Sequence, residues 1–493
     1  MLEIKTENVQ TLSAGLLLIP VAEGEQGEQA AAIRELIAAA CSYSEFKGRN
    51  ADELMLYHPA SVKAVRVLFL GLGKIAEITP ETLRKAAGKA VKKAIQLEVS
   101  DIVISPPSVA GLSFDFAAAV EALFEGAYLG NHIFDHYKKK KKETPLKTIA
   151  ILTDAHGAET CQKIPYRVET ICKSTILARE WVSMPPNEKR PDRFARSITK
   201  AADKEDLAVT VLDEPELKKN KMGGILAVGA GSRSRARMVI LDYHPKKSRK
   251  TYALVGKGVT FDSGGINIKS GSTLAEMKLD MAGAASVAAT LIAAARLKPD
   301  YRVVGLIPVV ENMPSGDAAR PGDIIRTYTG KTVEIGNTDA EGRLILIDAL
   351  AYAERRYKPE VMIDMATLTG ACIMALGEKI AGVFANDPKL SEIMVSAGEM
   401  VHERCWPLPM PADYREHLKS DFADLRNIGN SRYGGAITAA LFLSEFVEKA
   451  RWAHIDIAGP AYAKKGNDYC GAGGTGFGVR LFIEALEQLA AGG

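Results

Sequence analysis

Residues 255–286 read VGKGVTFDSGGINIKSGSTLAEMKLDMAGAAS, a stretch that starts as an apolar strand and finishes at an Ala-rich helix. Lys257 follows the strand directly, at the position where open α/β sheets collect the groups of their active sites. Six glycines let this backbone turn sharply and approach a ligand closely. The stretch therefore predicts an α/β domain whose site uses Lys257, Asp262, Lys269 and Asp280. In the alternative interpretation, both lysines are exposed and Asp280 only caps the helix.

A second charged cluster lies in NTDAEGRLILIDAL, residues 337–350. Asp339, Glu341 and Arg343 precede a nearly unbroken apolar run, residues 344–347, whose composition predicts burial. One carboxylate is enough to cap a helix. Because buried charges are costly unless they are paired or bind a metal, the cluster indicates a site as well as a helix start.

The composition is that of an ordinary globular protein. The 493 residues are 47% hydrophobic and 25% charged, which excludes disordered, collagen-like and coiled-coil chains. The length exceeds the usual size of one compact domain, so we expect two domains. The formal net charge of +3 is small and requires neither nucleic acid nor an anionic membrane as a partner.

Cysteine usage and the start of the chain favour a cytoplasmic protein. The six scattered cysteines include no CxxC pair, which predicts reduced thiols. The start, MLEIKTENVQ, has no basic segment followed by an apolar one, so we expect no secretory signal. The run MAGAASVAATLIAAA, residues 281–295, is too short to span a membrane and predicts a buried helix.

Strand and helix patterns alternate along the chain. Residues 61–74 and 99–105 are typical of strands and flank a helical pattern over residues 80–97. Later strands are predicted at 238–243, 252–256, 303–310 and 361–365, with helices at 281–297 and 344–357. We therefore expect an N-terminal α/β domain over residues 1–160, a linker helix within residues 161–187 and a larger α/β domain over residues 188–493.

The two clusters together supply four carboxylates, Asp262, Asp280, Asp339 and Glu341, with no histidine or thiolate. Hard oxygen donors in this number suit two divalent cations that share bridging carboxylates. A lysine can join them as a ligand only in its neutral form, which burial and two adjacent dications favour. The residues therefore predict a two-metal centre.

The same segments resemble the cytosolic leucine aminopeptidase family. NTDAEGRL, residues 337–344, matches the signature octapeptide of that family in full. Six further segments resemble it in the expected order: VGKGVTFDSGG, MKLDMAGAA, ENMPSGDAARPGD, ATLTGAC, WAHIDIAG and GTGFGVR. The resemblance covers the second domain and is weaker over the first third of the chain.

By motif position, the resemblance implies a set of residues that bind two metal ions: Lys257, Asp262, Asp280, Asp339 and Glu341. It implies that Asp262 and Glu341 bridge the two ions and that Lys269 and Arg343 form the catalytic pair. Manganese and zinc are the leading candidates for the metals, because carboxylate-rich sites discriminate poorly between divalent ions. The resemblance also implies that Arg343 anchors a bicarbonate ion that carries the proton, because guanidinium cannot act as a base.

The implied activity is that of a leucyl aminopeptidase, a metallo-exopeptidase that releases unblocked N-terminal residues from peptides. A side-chain pocket that includes Met277, Thr367 and Gly370 would suit Leu-like residues. The resemblance further implies a homohexamer and a two-domain α/β fold. In that fold the smaller N-terminal domain is macrodomain-like, and the larger catalytic domain has a mixed central sheet.

Two other functions are compatible with parts of the sequence. A two-metal phosphoesterase also uses clustered carboxylates, although such sites usually include histidine ligands or a basic phosphate-binding surface. The first domain could instead bind nucleotide or DNA, because it contains a glycine loop at residues 71–76 and a lysine run at residues 138–142. We expect that the peptidase activity does not require nucleic acid.

Overall fold

The computed structural model describes residues 1–24, 31–43, 45–141 and 145–492. The chain forms two compact units, one of residues 1–173 with 464–472 and one of residues 174–463 with 473–493. The α/β class predicted for both parts of the chain is confirmed. The domain boundaries predicted at residues 160 and 188 stay a prediction. Lys142, the last residue of the lysine run, lies outside the described residues.

The first unit is a layered α/β structure on a mainly parallel sheet. Its sheet has the strand order β1-β6-β5-β2-β4-β3, in which β3 is antiparallel to β4. The strands are β1 (Leu2–Lys5), β2 (Leu16–Ala22), β3 (Glu53–Tyr57), β4 (Arg66–Gly73), β5 (Asp101–Ile104) and β6 (Thr148–Leu152). The helices are α1 (Ala31–Tyr43), α2 (Pro80–Gln96), α3 (Phe116–Gly130) and α4 (Ala155–Thr160). Helix α2 begins where the sequence predicts it, because Thr79 caps it and Pro80 opens its first turn.

The second unit begins within α5 (Ile164–Ser183), a helix that lies within the segment predicted to link the domains. Its helices are α6 (Pro191–Ala202), α7 (Glu214–Lys219), α8 (Gly223–Gly229), α9 (Ala282–Leu297), α10 (Glu341–Tyr357), α11 (Gly370–Leu376), α12 (Pro388–Val401), α13 (Gly435–Ser444) and α14 (Val479–Ala491). Short 3-10 helices span Ile75–Glu77 in the first unit and Pro186–Glu188, Gly271–Leu279 and Ala412–Leu418 in the second.

The strands of the second unit form one large sheet and two small ones. They are β7 (Ala208–Leu212), β8 (Arg237–Tyr243), β9 (Thr251–Gly256), β10 (Gly258–Asp262), β11 (Arg302–Asn312), β12 (Ile324–Arg326), β13 (Thr332–Glu334), β14 (Val361–Ala366), β15 (Ala381–Ala385), β16 (Cys405–Pro407), β17 (Leu425–Arg426), β18 (Arg451–Asp456), β19 (Tyr462–Ala463) and β20 (Gly473–Gly474). The large sheet has the order β16-β15-β18-β14-β9-β11-β8-β7, and β10 pairs with β11. Because β14 is parallel to β9 and β18 while β8 is antiparallel to β11, the predicted mixed sheet is confirmed.

The central strands of this sheet are buried on both faces. Alternate residues of β9 point to opposite sides, so that Leu254 packs in one apolar cluster and Val255 in another. Helix α9 fills the first cluster, and α10 fills the second. Strands β9, β11 and β14 therefore deliver their carboxyl ends to one edge between two helical layers.

Helix α9 is a core helix, as its sequence predicts. Together with the preceding 3-10 turns it forms a segment, Thr273–Leu297, of 25 residues that is long and apolar enough to cross a membrane by length and composition. However, 89% of its most apolar window is buried inside the protein. Its apolarity is accounted for by packing between the sheet and α14.

Candidate metal centre

Lys257 lies at the end of β9 and points into the buried edge of the sheet. Its backbone N–H donates to the carbonyl of Met365 on β14 over 3.1 Å, and its carbonyl accepts from Ala284 N at the start of α9 over 2.9 Å. Its side chain is only 3% exposed. The ammonium lies 2.9 Å from Asp280 Oδ1 and 2.8 Å from Glu341 Oε1. The interpretation that Lys257 is an exposed lysine is therefore wrong.

Asp262 ends β10, where the pairing with β11 shifts register and brings it opposite Asn312. One carboxylate oxygen, Oδ1, accepts from Gly264 N over 2.9 Å and from Asn312 Nδ2 over 2.8 Å. The other oxygen, Oδ2, lies 2.9 Å from Lys269 Nζ. The strand end thus fixes the orientation of this carboxylate.

Asp280 lies in the turn between a 3-10 helix and α9. The residue that caps α9 is Met281, which makes no side-chain cap. Asp280 Oδ1 instead accepts from Thr367 Oγ1 over 2.7 Å, beside its contact with Lys257. Asp280 therefore faces the strand ends, and helix capping does not account for its position.

Helix α10 begins inside the charged cluster, at Glu341. Glu341 and Arg343 are both buried in its first turn, while Asp339 is partly buried in the preceding turn. Asp339 Oδ1 lies 2.6 Å from Lys269 Nζ, which also contacts Asp262. The residue preceding the helix is Ala340, which provides no side-chain cap, so neither acidic residue is used for capping.

Three of these carboxylates form a group of the size that a metal ion requires. Ligand oxygens of Asp262, Asp280 and Glu341 all lie within 4.8 Å of one another. In the part of the chain that the structure describes, Asp280 Oδ2 and Glu341 Oε2 are buried without a hydrogen-bond partner. Buried oxygens of this kind normally have a partner. The donor set and its unpaired oxygens therefore fit hard divalent cations.

The cluster holds more carboxylates than cationic side chains. Burial raises the pKa of Asp262, Asp280 and Asp339 above the ordinary range of a carboxyl group. Burial lowers the pKa of Lys257, but the attraction of Asp280 and Glu341 exceeds that effect and raises the pKa above its ordinary value. Lys257 is therefore an ammonium beside the bare carboxylates, and it would become a neutral ligand only when adjacent dications outweigh that attraction. Lys257, Lys269 and Arg343 supply three positive charges against the four carboxylates.

Arg343 approaches the site from within α10. Its Nη1 donates to the carbonyl of Asn427 over 2.7 Å, and its Nε is buried without a partner among the described residues. Burial lowers the pKa of Arg343 to about 10, although Glu341 and Asp456 oppose this shift. The guanidinium therefore stays charged at neutral pH and offers donors toward the site.

Of the three residues predicted to line a side-chain pocket, two contact Asp280 directly. Thr367 follows β14 and donates to Asp280. Met277 is half-buried in the 3-10 helix that ends beside Asp280, and its carbonyl accepts from Asp280 N over 3.4 Å. Gly370 starts α11, and a Cβ built on it would meet nothing within 4 Å, so this position faces open space.

Several residues that hold the site in place belong to no charged cluster beside an apolar run, so residue pattern alone does not predict their role. Asn312 and Thr338 hold the loop after β10: Thr338 Oγ1 donates to Gly264 O over 2.6 Å, and Asn312 donates to Asp262 and to Thr338 O. Asn427 contacts the turn before α10. On β18 in the buried sheet, His454 Nδ1 lies 2.6 Å from Asp364 Oδ1. Asn312, Thr338 and His454 do lie within segments that resemble the family, and Thr338 belongs to the signature octapeptide itself.

Both parts of the chain match models of one family. Residues 176–483 match the catalytic domain of the cytosol aminopeptidase family, and residues 18–141 match its N-terminal domain. Relatives named probable cytosol aminopeptidase include one from Chlorobium limicola, 41% identical over 97% of this chain and 98% of its own, and one from Geobacter sp. strain M21, 40% identical over 99% of both chains.

Solved structures agree with this assignment. The bottromycin maturation enzyme BotP in complex with Mn is 34% identical with a TM-score of 0.86, over 97% of this chain and 100% of BotP. A mutant of tomato leucine aminopeptidase is 32% identical with a TM-score of 0.86, over 99% of this chain and 96% of its own. The alternative functions, phosphoesterase and nucleic-acid binding, find no support in these relatives. The chain belongs to the cytosol aminopeptidase family and is a metal-dependent aminopeptidase.

Proposed function

We propose that the protein releases unblocked N-terminal residues from peptides with two divalent cations per subunit, held by Lys257, Asp262, Asp280, Asp339 and Glu341. Asp262 and Glu341 would be the ligands that both ions share, as the resemblance to the family implies. The observation that carries the proposal is the buried carboxylate group, whose oxygens lie within 4.8 Å of one another. The unpaired oxygens of Asp280 and Glu341 support it.

When bound, the cations supply Lewis-acid polarisation of the scissile carbonyl and lower the pKa of water. The ligands themselves are fixed by rigid elements, because Lys257 directly follows β9, Asp262 ends β10 and Glu341 begins α10. Their positions are therefore set before the substrate arrives, which is the condition for electrostatic preorganisation.

Lys269 is assigned to stabilise the oxygen of the scissile carbonyl as its negative charge develops. Its side chain is 20% exposed, so it can reach both the carboxylates and an entering peptide. Burial lowers the pKa of Lys269, but the negative charges of Asp262 and Glu341 raise it by more than burial lowers it. The net shift of the pKa is therefore upward. The group is thus an ammonium at neutral pH, as a role in charge stabilisation requires.

Arg343 is assigned to hold a small anion that moves the proton, with bicarbonate as the candidate. The guanidinium cannot accept a proton at neutral pH, so it acts by binding and orienting. Its unpaired, buried Nε is a donor available for such an anion. This assignment accounts for a charged arginine in the first turn of α10 that has no carboxylate partner within salt-bridge distance in the described chain.

The substrate is a peptide with a free α-amine and a Leu-like first residue. Met277, Thr367 and Gly370 are assigned to the side-chain pocket, because two of them flank Asp280 and the third faces open space. Relatives carry the name cytosol aminopeptidase, which supports a cytoplasmic role in peptide turnover. We assign a homohexamer as the assembly, on the resemblance to the family alone.

Manganese and zinc are the candidate metals, and the complex of BotP with Mn favours manganese. The test is hydrolysis of a leucyl anilide by protein that has been stripped with a chelator and then reloaded with each cation separately. We expect no activity after stripping and restored activity with manganese or zinc, with elemental analysis giving two ions per subunit. Full activity in stripped protein that contains no metal by elemental analysis would refute the proposal.

A further inference from the structure

Asn427 is a fully buried amide that follows β17. Its backbone N–H donates to Glu334 O over 3.0 Å, which extends the parallel pairing between β13 and β17 by one residue. This pairing places Asn427 beside the turn that leads from β13 into α10. A fully buried amide is costly unless its donors and acceptors are used, so its partners identify its role.

Among the described residues, the hydrogen-bond partners of the Asn427 side chain all belong to that turn. Its Oδ1 accepts from Gly336 N over 2.7 Å and from Asn337 N over 3.3 Å. Its Nδ2 donates to Asn337 O over 2.8 Å and to Ala340 O over 3.3 Å. These backbone groups flank Asp339 and directly precede Glu341, two of the proposed metal ligands.

The main chain of Asn427 contacts Arg343, in the first turn of α10. Its carbonyl accepts from Arg343 Nη1 over 2.7 Å. Within the described part of the chain this is the only hydrogen bond of the Arg343 guanidinium, whose Nε is buried and unpaired. One residue, 84 positions away along the chain, therefore fixes both the turn with the ligands and the direction of the arginine.

We propose that Asn427 is a positioning residue that sets Arg343 relative to Asp339 and Glu341. The amide fixes the turn, and the carbonyl of the same residue fixes the guanidinium, so a shift of one moves the other. This inference rests on the proposed role of Arg343 in catalysis. Misplacement of a reacting group by about 1 Å can reduce a rate by about 10²-fold, so a clamp of this kind matters for kcat.

The test compares Asn427→Ala and Asn427→Asp with the matched changes Asn430→Ala and Asn430→Asp. Asn430 lies three residues further along on the same segment and is exposed, and its Oδ1 contacts His417 Nδ1 instead of the turn. Asn427→Ala removes all four bonds to the turn, whereas Asn427→Asp keeps the acceptor and the volume but turns a carboxylate oxygen toward the carbonyls of Asn337 and Ala340. Having both variants keeps the test informative if one of them folds poorly.

With manganese-loaded protein and a leucyl anilide, we expect both Asn427 variants to keep two metal ions by elemental analysis. We expect kcat to fall about 10-fold or more with KM changed less than about 3-fold, and the Asn430 variants to behave as the parent. Loss of metal in proportion to loss of activity, in both Asn427 variants, would overturn the inference, because Asn427 would then only hold the ligands.

A double-mutant cycle with Arg343→Ala decides whether Asn427 acts through the arginine. If it does, the fold-loss caused by Asn427→Ala shrinks toward unity in the Arg343→Ala background. If Asn427→Ala lowered kcat by the same factor in both backgrounds, the positioning role of Asn427 would be wrong, and the proposed role of Arg343 would be unaffected. If Arg343→Ala by itself left kcat unchanged, the proposed function of Arg343 would fail, and this inference would fail with it.

Discussion

Gly342 lies against the side chain of Lys257: a Cβ built on Gly342 would fall 2.7 Å from both Cε and Nζ of the lysine. Side chains do not approach so closely, so the absence of a Cβ is what lets Lys257 reach Glu341 and Asp280. The residue between Glu341 and Arg343 therefore contributes by its small size.

The variant Gly342→Ala tests this relationship. Alanine normally stabilises a helix by up to about 1 kcal/mol relative to glycine, so a loss of function here cannot be attributed to helix propensity. We expect about 10-fold or more weaker metal binding and a matching loss of activity, because Lys257 must move. The measurements are metal titration and kcat. Gly316→Ala is the control, since a Cβ there meets nothing within 4 Å, and unchanged metal affinity in Gly342→Ala would contradict the steric argument.

Variants of the charged residues should separate catalysis from metal binding. Lys269→Ala and Arg343→Ala should keep both metals and lower kcat by ~10² or more, the scale for loss of a transition-state electrostatic contact. Asp262→Ala and Glu341→Ala should lose metal instead. Metal content and kcat are measured on the same samples, with Lys298→Ala at the far end of α9 as the control. The assignment is wrong if Lys269→Ala keeps its kcat or if Arg343→Ala loses an ion.

Acetylation of the substrate amine should abolish turnover. An amide nitrogen has no basic lone pair to offer a cation, so acetyl-leucyl anilide should react at least ~10²-fold more slowly than leucyl anilide under the same conditions. The ratio of kcat/KM for the two substrates is the measurement. Comparable turnover of both compounds would show that the free amine is not recognised.

Asp348 on α10 should make the stability of the second unit depend on pH. Burial raises its pKa to about 7, against the hydrogen bonds that Oδ1 accepts from Tyr328 N and Oδ2 from Gly224 N and Ile225 N. A carboxyl with a raised pKa binds its proton more tightly in the folded state, so its contribution is complete below about pH 4 and is lost as the pH rises through about 7.

The variant Asp348→Asn removes this titration. We measure the difference in Tm between the parent and Asp348→Asn at several pH values. The advantage of the parent should fall as the pH is raised from about 4 to about 7, and the matching change in the free energy of unfolding should be a few kcal/mol or less. The exposed carboxylate Asp317, changed to asparagine, provides a control in which the difference stays flat. A difference that grows with pH would mean that the three N–H donors outweigh burial.

Elements with strong periodicity could be predicted from the sequence. The apolar pattern predicts a helix over residues 344–357, three residues after the true start, because α10 begins at Glu341 and includes the charged residues themselves. Local hydrophobicity cannot show that a carboxylate and a guanidinium are buried in a first helical turn. The strands at residues 252–256 and 361–365 agree with β9 and β14 to within one residue, since both are apolar runs bounded by polar sequence.

The supporting residues of the site could not be predicted in the same way. Asn427 meets Gly336 only because β17 pairs with β13 in one particular register, and the segment 425–429 has no apolar period. Asn312 reaches Asp262 because β10 pairs with β11 through a register shift. Contacts between residues 50 and 91 positions apart are decided by tertiary packing, which a single sequence does not display.

The spread of the site along the chain also has a consequence for biosynthesis. Lys257 and Asp262 leave the ribosome long before Arg343 and Asn427, and β18, which borders β14 in the central sheet, is made later still. A nascent chain or a proteolytic fragment that ends before residue 451 lacks β18 and cannot complete the central sheet. We therefore expect chains that end before residue 451 to lack peptide-cleaving activity.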